Sequence, residues 1–184
     1  MTVPDGYLDV VVRPDEETRA SELLSALFEQ VHRELVARSL TSVGVSFPEA
    51  GESGGLGTRL RLHGLEETLR PFGEMPWLVR ASDYYRVTPV RAVPEGYTVR
   101  VVRRLQPNLS AAKIRRLLSR RSVTAERAVE LLARRDVLSA PYVQIRSASS
   151  GQRFKLFFEQ VPVEGTVGKR HFNAYGFGAG VPWF

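Results

Sequence analysis

The fold of the first half of the chain is decided by the stretch Leu23-Leu24-Ser25-Ala26-Leu27-Phe28-Glu29-Gln30-Val31-His32-Arg33-Glu34-Leu35. Its apolar residues recur at intervals of three and four, which predicts an amphipathic helix over residues 20–38 with one buried stripe. The β-branched residues at 7–12 predict a preceding strand. The other predicted elements of this half are strands at 43–47, 59–63 and 84–93 and a helix near 65–70. This β-α-β-β-α-β order predicts a ferredoxin-like α+β fold.

The second half differs from the first in charge. Residues 1–100 carry 11 basic and 15 acidic side chains, whereas residues 101–184 carry 15 and 5. The elements predicted after a linker at 94–96 are a strand at 97–105, helices at 111–121 and 125–135, a hairpin of 142–147 with 152–159, and a strand at 170–175. We therefore expect a ferredoxin-like domain at 1–94 and a smaller, basic α/β domain at 95–184. A basic half of this kind usually faces a polyanion.

Composition excludes several classes of protein. The chain has 184 residues and no cysteine, which excludes a disulfide scaffold, a thiolate zinc site and a cysteine nucleophile. No apolar run approaches the roughly 20 residues that span a bilayer. The short acidic N-terminus does not read as a signal peptide. We expect a soluble, cytoplasmic protein that does not contact a membrane.

The helix predicted at 111–121 has an apolar side and a basic side. The side expected to dock on the protein comprises Ala111, Ile114 and Leu118. The basic side comprises Lys113, Arg116 and Arg120, with Arg115 flanking it. Arginine forks fit phosphates and base edges, so this side indicates contact with nucleic acid. A solvated helix face is the alternative, although such faces usually mix charges.

Histidine is the natural general base at neutral pH, because an imidazole has an ordinary pKa of about 6.5. His32 lies at the rim of the apolar stripe on the first helix, where a side chain can project into a groove. A purely structural histidine is the alternative. No two of the three histidines, His32, His63 and His171, are spaced as metal ligands, so we expect no metal and no cofactor.

Two further regions carry candidate residues. Ser147 ends the predicted hairpin strand and Ser149 lies two residues further on, where ordinary turn serines are also common. Phe154 shares a strand face with Leu156 and Phe158, so it is either a core residue or a platform on which a base stacks. Tyr175 precedes a Gly-x-Gly-x-Gly run that does not join a strand to a helix and is therefore not a dinucleotide fingerprint.

Together these residues resemble the CRISPR-associated endoribonucleases that cut repeat RNA in type I-F systems. The most specific motifs are Arg146-Ser147-Ala148-Ser149-Ser150-Gly151-Gln152-Arg153-Phe154 and Val181-Pro182-Trp183-Phe184. The supporting motifs are Tyr7-Leu8-Asp9, Leu27-Phe28 with His32, Gly44-Val45-Ser46-Phe47-Pro48, Arg104-Leu105-Gln106, Arg115-Arg116-Leu117-Leu118 and Tyr175-Gly176. The resemblance runs nearly end to end.

The resemblance implies a reaction without metal at the base of a repeat stem-loop. His32 would deprotonate a ribose 2′-OH, whose oxygen attacks the adjacent phosphorus and leaves a 2′,3′-cyclic phosphate and a 5′-OH. Ser147 would hold the ribose, with Ser149 as its competitor, and Tyr175 would help to position the histidine. DNA would not be a substrate, because it lacks the 2′-OH.

The resemblance also implies how the RNA is held. Arg104 and Gln106 would read base edges near the foot of the stem, and Phe154 would stack on the closing base pair. The basic helix would contact the stem through Lys113, Arg115, Arg116 and Arg120. Ser119 stands where the family pattern has arginine. Such proteins stay bound to the processed RNA and join a type I-F surveillance complex.

Two other functions are compatible with parts of the sequence. The basic half alone would suffice for a non-catalytic module that binds structured RNA, and His32 would then have no chemical role. A metal-dependent nuclease is disfavoured, because no cluster of potential ligands has the required spacing.

Overall fold

The computed structural model describes residues 5–51, 55–106, 115–116, 118–120, 123–126, 140–147, 151–165 and 171–184. Its helices are α1 (Ala20–Ala37), α2 (Glu66–Gly73) and α3 (Pro76–Arg80). Its strands are β1 (Gly6–Val12), β2 (Gly44–Ser46), β3 (Arg59–Gly64), β4 (Tyr85–Val87), β5 (Arg91–Ala92), β6 (Thr98–Leu105), β7 (Tyr142–Arg146), β8 (Arg153–Val163) and β9 (Gly180–Trp183). None of the helices in this part of the chain combines the length and hydrophobicity needed to traverse a bilayer.

The first sheet has the strand order β2-β3-β1-β4, and β5 also pairs with β1. All of these pairs are antiparallel. α1 connects β1 to β2 across β3, and α2 lies in the connection from β3 to β4 across β1. This is the ferredoxin-like arrangement, so the predicted α+β fold class is confirmed. The sequence reading missed α3, which begins at Pro76, a residue favoured at the first helical position.

α1 agrees with the helix predicted at 20–38 to within one residue. Its buried side chains are those of the predicted stripe, Leu23, Leu24, Leu27, Phe28, Val31 and Leu35. Burying a side chain of this kind contributes about 1.5–3 kcal/mol relative to leaving it exposed. Six such side chains fix the rotation of α1 about its axis. They therefore fix the direction of the polar side chains that border the stripe.

The second sheet has the order β7-β8-β6-β9. β7 and β8 form the predicted hairpin. The strand predicted at 170–175 is wrong, because residues 171–175 form an irregular loop and a turn, and the last strand is β9. Asn173 explains the difference, since its Oδ1 accepts hydrogen bonds from the backbone N–H groups of Tyr175 and Phe177 at 2.9 and 3.1 Å. These bonds bend the backbone into a turn.

One hydrophobic cluster joins the two sheets. The ring of Phe177 lies 5.7 Å from that of Phe28 on α1 and 5.9 Å from that of Phe158 on β8. α1 also packs against β7, so one helix contacts both halves of the chain. The predicted linker at 94–96 falls between β5 and β6, and thus between the two sheets. The division into two domains stays a prediction.

In the strand at 59–63, Arg59, Arg61 and His63 alternate with Leu60 and Leu62, a pattern that predicts a half-exposed strand. That expectation is wrong, because every residue of β3 after Arg59 is buried. Arg61 on β3 is only 7% exposed. It donates two hydrogen bonds to Asp9 at 2.7 and 3.0 Å. Its guanidinium carbon lies 4.5 Å from the Tyr7 ring centroid and 4.1 Å from that of Phe184. The polar residue is therefore buried by pairing and ring stacking rather than exposed to solvent.

His63 is fully buried on the same strand, with its Nε2 2.8 Å from the hydroxyl of Ser46. Burial and the Arg61 charge lower the pKa of His63 to about 3, although the charge of Asp9 opposes this shift. The unfolded chain therefore binds a proton between about pH 6.5 and pH 3 that the folded chain does not. Stability is greatest above this window and falls as the pH is lowered through it.

We expect the free energy of unfolding to decrease from about pH 7 to about pH 5, and to decrease less in His63→Gln, which lacks the titrating group. Urea unfolding of both proteins at the two pH values measures this difference. An identical pH dependence in the two proteins would show that His63 is not the group responsible.

Candidate active site

His32 lies near the C-terminal end of α1 and is half-buried at the rim of the apolar stripe, as predicted. Its Nδ1 is 2.6 Å from the backbone carbonyl oxygen of Ala174. Because a carbonyl oxygen only accepts, Nδ1 carries the hydrogen and donates it. In the neutral ring Nε2 then keeps its lone pair and can accept a proton from another group. The hydrogen bond thus holds the neutral imidazole in the tautomer whose Nε2 can accept a proton.

The ring of Tyr175 stacks on the imidazole of His32. Its ring centroid is 4.5 Å from that of His32, and the two planes differ by 23°. The turn set by Asn173 brings both the Ala174 carbonyl and the Tyr175 ring to the histidine. Tyr175 therefore lies in direct contact with the imidazole.

Gly176 permits this turn, because its φ of +74° is one that residues with a Cβ atom rarely adopt. A Cβ here would overlap Val45 Cγ2 and lie 3.0 Å from the Val45 nitrogen. We expect Gly176→Ala to lower the melting temperature more than Gly178→Ala, which also has positive φ, at +97°, but meets no atom closer than 3.8 Å. Thermal unfolding of the two variants checks this, and equal losses would mean that the contact with Val45 is unimportant.

Arg104 on β6 is exposed and lies between two aromatic rings. Its guanidinium carbon is 5.9 Å from the ring centroid of Phe154 and 5.9 Å from that of Tyr175. Both distances are within the range of a cation–π contact. Gln106, also exposed, follows at the end of β6. Since alternate residues share a strand face, Arg104 and Gln106 lie on the same face as Val102. Val102 is buried, whereas Arg104 and Gln106 are exposed to solvent.

The hairpin of β7 and β8 carries the next two candidates. Ile145 pairs with Phe154 in the strand register, and two residues later the N–H of Ser147 donates to the carbonyl of Gln152 at 2.8 Å. Phe154 is half-buried, whereas Leu156, on the same face, is fully buried. Phe154 therefore lies at the exposed end of a row of core residues on β8, and its ring is partly accessible to solvent. Ser149 falls outside the described residues.

The basic helix is described at residues 115–116 and 118–120. The Arg120 N–H donates to the carbonyl of Arg116 at 3.1 Å, a helical bond, and Ser119 Oγ donates to the same carbonyl at 2.9 Å. Arg115, Arg116 and Arg120 are exposed, as predicted for the basic side. Leu118 was expected to dock on the protein and is instead 36% exposed. Helical periodicity shows which residues share a face of a helix, but not whether that face packs against the rest of the protein. Lys113 lies outside the described residues.

The structure thus brings four predicted site residues into one chain of contacts, in the order Phe154, Arg104, Tyr175 and His32. The sequence reading missed the backbone carbonyl of Ala174, for which no sequence signal exists, since every residue has one. Within the described ranges, no group of three or more potential ligand side chains could hold a metal ion.

Residues 7–184 match the profile of one protein family, described as CRISPR-associated protein (Cas_Csy4). The chain is 38% identical over 188 residues to the CRISPR-associated endonuclease Cas6/Csy4 of Pseudomonas aeruginosa (strain UCBPP-PA14), covering 98% of this chain and 100% of that protein. It is 36% identical over 185 residues to the CRISPR-associated endonuclease Cas6/Csy4 of Escherichia coli (strain UTI89 / UPEC), with coverage of 98% and 100%. The similarity therefore extends across both sheets.

Proposed function

The chain belongs to the Cas_Csy4 family of CRISPR-associated proteins, and from this premise we propose that it is an endoribonuclease that cuts CRISPR repeat RNA at the base of a stem-loop without a metal ion. Both relatives are named as CRISPR-associated endonucleases. The observation that supports the proposal most directly is the 2.6 Å hydrogen bond from His32 Nδ1 to the Ala174 carbonyl oxygen, which leaves Nε2 as the basic atom.

In the proposed reaction, His32 Nε2 takes the proton from the ribose 2′-OH upstream of the cut. The 2′ oxygen forms a bond to phosphorus while the bond from phosphorus to the 5′ oxygen of the next nucleotide breaks. The upstream fragment then ends in a 2′,3′-cyclic phosphate, and the leaving 5′ oxygen takes up a proton to become a 5′-OH. The RNA supplies its own nucleophile, so the protein contributes a positioned base and alignment.

The other candidates hold the RNA in this proposal. Ser147, or its competitor Ser149, holds the reacting ribose, and Phe154 stacks on the closing base pair, a contact of about 1–3 kcal/mol. Arg104 and Gln106 read base edges beside it. The contacts to the stem come from the basic helix, through Lys113, Arg115, Arg116 and Arg120. The excess of basic side chains after residue 100 supplies the attraction to a polyanion.

We further propose that the first 94 residues carry the catalytic histidine and the remainder carries most of the RNA contacts, as two domains. The protein would act in the cytoplasm, stay bound to the processed RNA and join a type I-F surveillance complex. Co-purification of tagged protein with mature guide RNA would test the persistence of this binding, which release of the RNA after cutting would contradict.

The proposed function is tested with a hairpin transcribed from the CRISPR repeat of the source genome, incubated with the protein in EDTA. We expect one cut at the base of the stem, and mass spectrometry should find a 2′,3′-cyclic phosphate upstream and a 5′-OH downstream. A hairpin of shuffled sequence and equal stem length is the control. Binding without cutting would instead support the non-catalytic RNA-binding module, and cutting only after metal addition would contradict metal independence.

Tyr175 offers a test of how the histidine is positioned. Because the ring stacks on His32, we expect Tyr175→Ala to lower the cleavage rate by about tenfold or more, and Tyr175→Phe, which keeps the ring, to retain most of the rate. Single-turnover kinetics at saturating protein separate this effect from binding. An equal loss in both variants would show that the hydroxyl, and not the ring, is what matters.

A further inference from the structure

A polar groove of about 510 Å³ runs between α1 and the β7–β8 hairpin. Its lining includes Ser25, Glu29, Arg33, Gln144, Arg146 and Arg153. The backbone N–H of Gln144 donates to Ser25 Oγ at 3.0 Å, which ties β7 to the helix along the floor of the groove. The groove is therefore a fixed feature of the packing between the helix and the hairpin.

The groove leads to the candidate active site. Ser25, Glu29 and His32 are spaced four and three residues apart on α1, so they lie along one side of the helix. On the hairpin, Arg146 and Arg153 occupy the last register pair of the two strands. They lie next to Ser147 and Phe154 in the chain. Both walls of the groove thus end at residues that the proposed function assigns to catalysis or to the RNA.

The charges at this end of the groove are arranged for an anion. Arg146 and Arg153 are both exposed and directly opposite each other, and like charges in such a cross-strand pair are destabilising. Arg33 adds a third guanidinium; its side chain is 60% exposed, so its ion pair with the half-buried Glu29, at 3.1 Å, leaves it accessible to a phosphate. A phosphate between these arginines would reverse the repulsion. Glu22 lines the groove farther back on α1, about 15 Å from His32 at 1.5 Å per residue, and disfavours phosphates there.

We propose that this groove binds the single-stranded RNA that continues downstream of the cut, with phosphates held by Arg146 and Arg153. The proposal rests on the proposed function. In that function Phe154 and Arg104 hold the foot of the stem, and the strand that contains the scissile phosphate passes His32. Beyond the cut this strand can continue along α1 into the groove, whose lining includes Glu29 and Arg33, the residue after His32. The opposite strand of the stem does not pass the histidine.

The test compares three forms of the repeat hairpin, each with a 2′-deoxy nucleotide just upstream of the cut to keep it intact. One form has no flank, one has about five nucleotides downstream of the cut, and one has about five nucleotides upstream of the stem. We expect the downstream flank alone to tighten binding, by about tenfold at low salt. The variant Arg146→Ala/Arg153→Ala loses two contacts to single-strand phosphates. It should lose this gain in affinity, and the slope of log K against log salt concentration should become shallower by about 1.4.

The matched control is Arg86→Ala/Arg91→Ala, which removes two exposed arginines from β4 and β5 of the other sheet and should keep the full gain. Three results would overturn the proposal. The first is tighter binding from the upstream flank alone, and the second is a full gain in affinity from the downstream flank in Arg146→Ala/Arg153→Ala. The third is that this variant loses as much affinity for the hairpin without a flank as for the hairpin with the downstream flank. Wild-type cleavage of the all-ribose hairpin, measured in parallel, separates these results from a failure of the proposed function itself.

Discussion

His32→Ala is expected to lower the rate of repeat RNA cleavage by about 10²–10⁴-fold while leaving the affinity for the hairpin nearly unchanged. The imidazole is bound through Nδ1 to the Ala174 carbonyl and stacked on Tyr175, so Nε2 is the atom that we propose takes the proton. In the proposed function the RNA is held mainly by arginines from the second half of the chain. Removing the imidazole therefore removes the base without removing the phosphate contacts.

Single-turnover cleavage and equilibrium binding of the same hairpin measure the two effects separately. His171→Ala is the matched control, because His171 is exposed and contacts the Thr41 hydroxyl at 3.0 Å rather than the site residues. It should retain the wild-type rate. A His32→Ala protein that cuts at the wild-type rate, or that fails to bind the hairpin, would contradict the separation of chemistry from binding.

Asp9→Asn is expected to destabilise the fold by about 3–5 kcal/mol, because it leaves a buried guanidinium without its anionic partner. Asp9 is 3% exposed and accepts hydrogen bonds from both Arg61 and Arg59. Burial alone would raise the pKa of Asp9, but the hydrogen bonds and charges of the two arginines lower it below its ordinary value. The carboxylate is therefore charged in the folded protein near neutral pH.

Urea unfolding at neutral pH measures this loss, with Asp83→Asn as the control, since Asp83 is exposed. The control should change the free energy of unfolding by less than about 0.5 kcal/mol. Because the pKa of Asp9 is lowered on folding, its contribution is present above the ordinary carboxyl pKa and is lost as the pH falls through the folded value. A loss in Asp9→Asn as small as in the control would show that the Asp9–Arg61 pair is not important to stability.

The elements best predicted from the sequence were those whose apolar pattern depends only on which residues are buried. The stripe on α1 located its buried face and, with it, the rim position of His32. The hairpin of β7 and β8 was equally clear. Arg61 on β3 was misread because alternation cannot distinguish a solvated arginine from one paired with Asp9, fifty-two residues earlier. That distinction depends on a long-range partner, which local periodicity does not contain.

The turn at 173–177 shows the other limit. A strand was predicted over 170–175, but two hydrogen bonds to Asn173 Oδ1 close a turn instead. The same turn supplies the Ala174 carbonyl that orients His32. The candidate base was therefore accessible from the sequence through α1 and the family resemblance, whereas its tautomer and the stacking of Tyr175 were not.

The central claim is that His32 activates a hydroxyl of the RNA itself. The most direct test is cleavage, in EDTA, of a repeat hairpin in which only the nucleotide upstream of the cut is 2′-deoxy. We expect this RNA to bind as tightly as the all-ribose hairpin and not to be cut. Cleavage of the deoxy hairpin at the same position would contradict it.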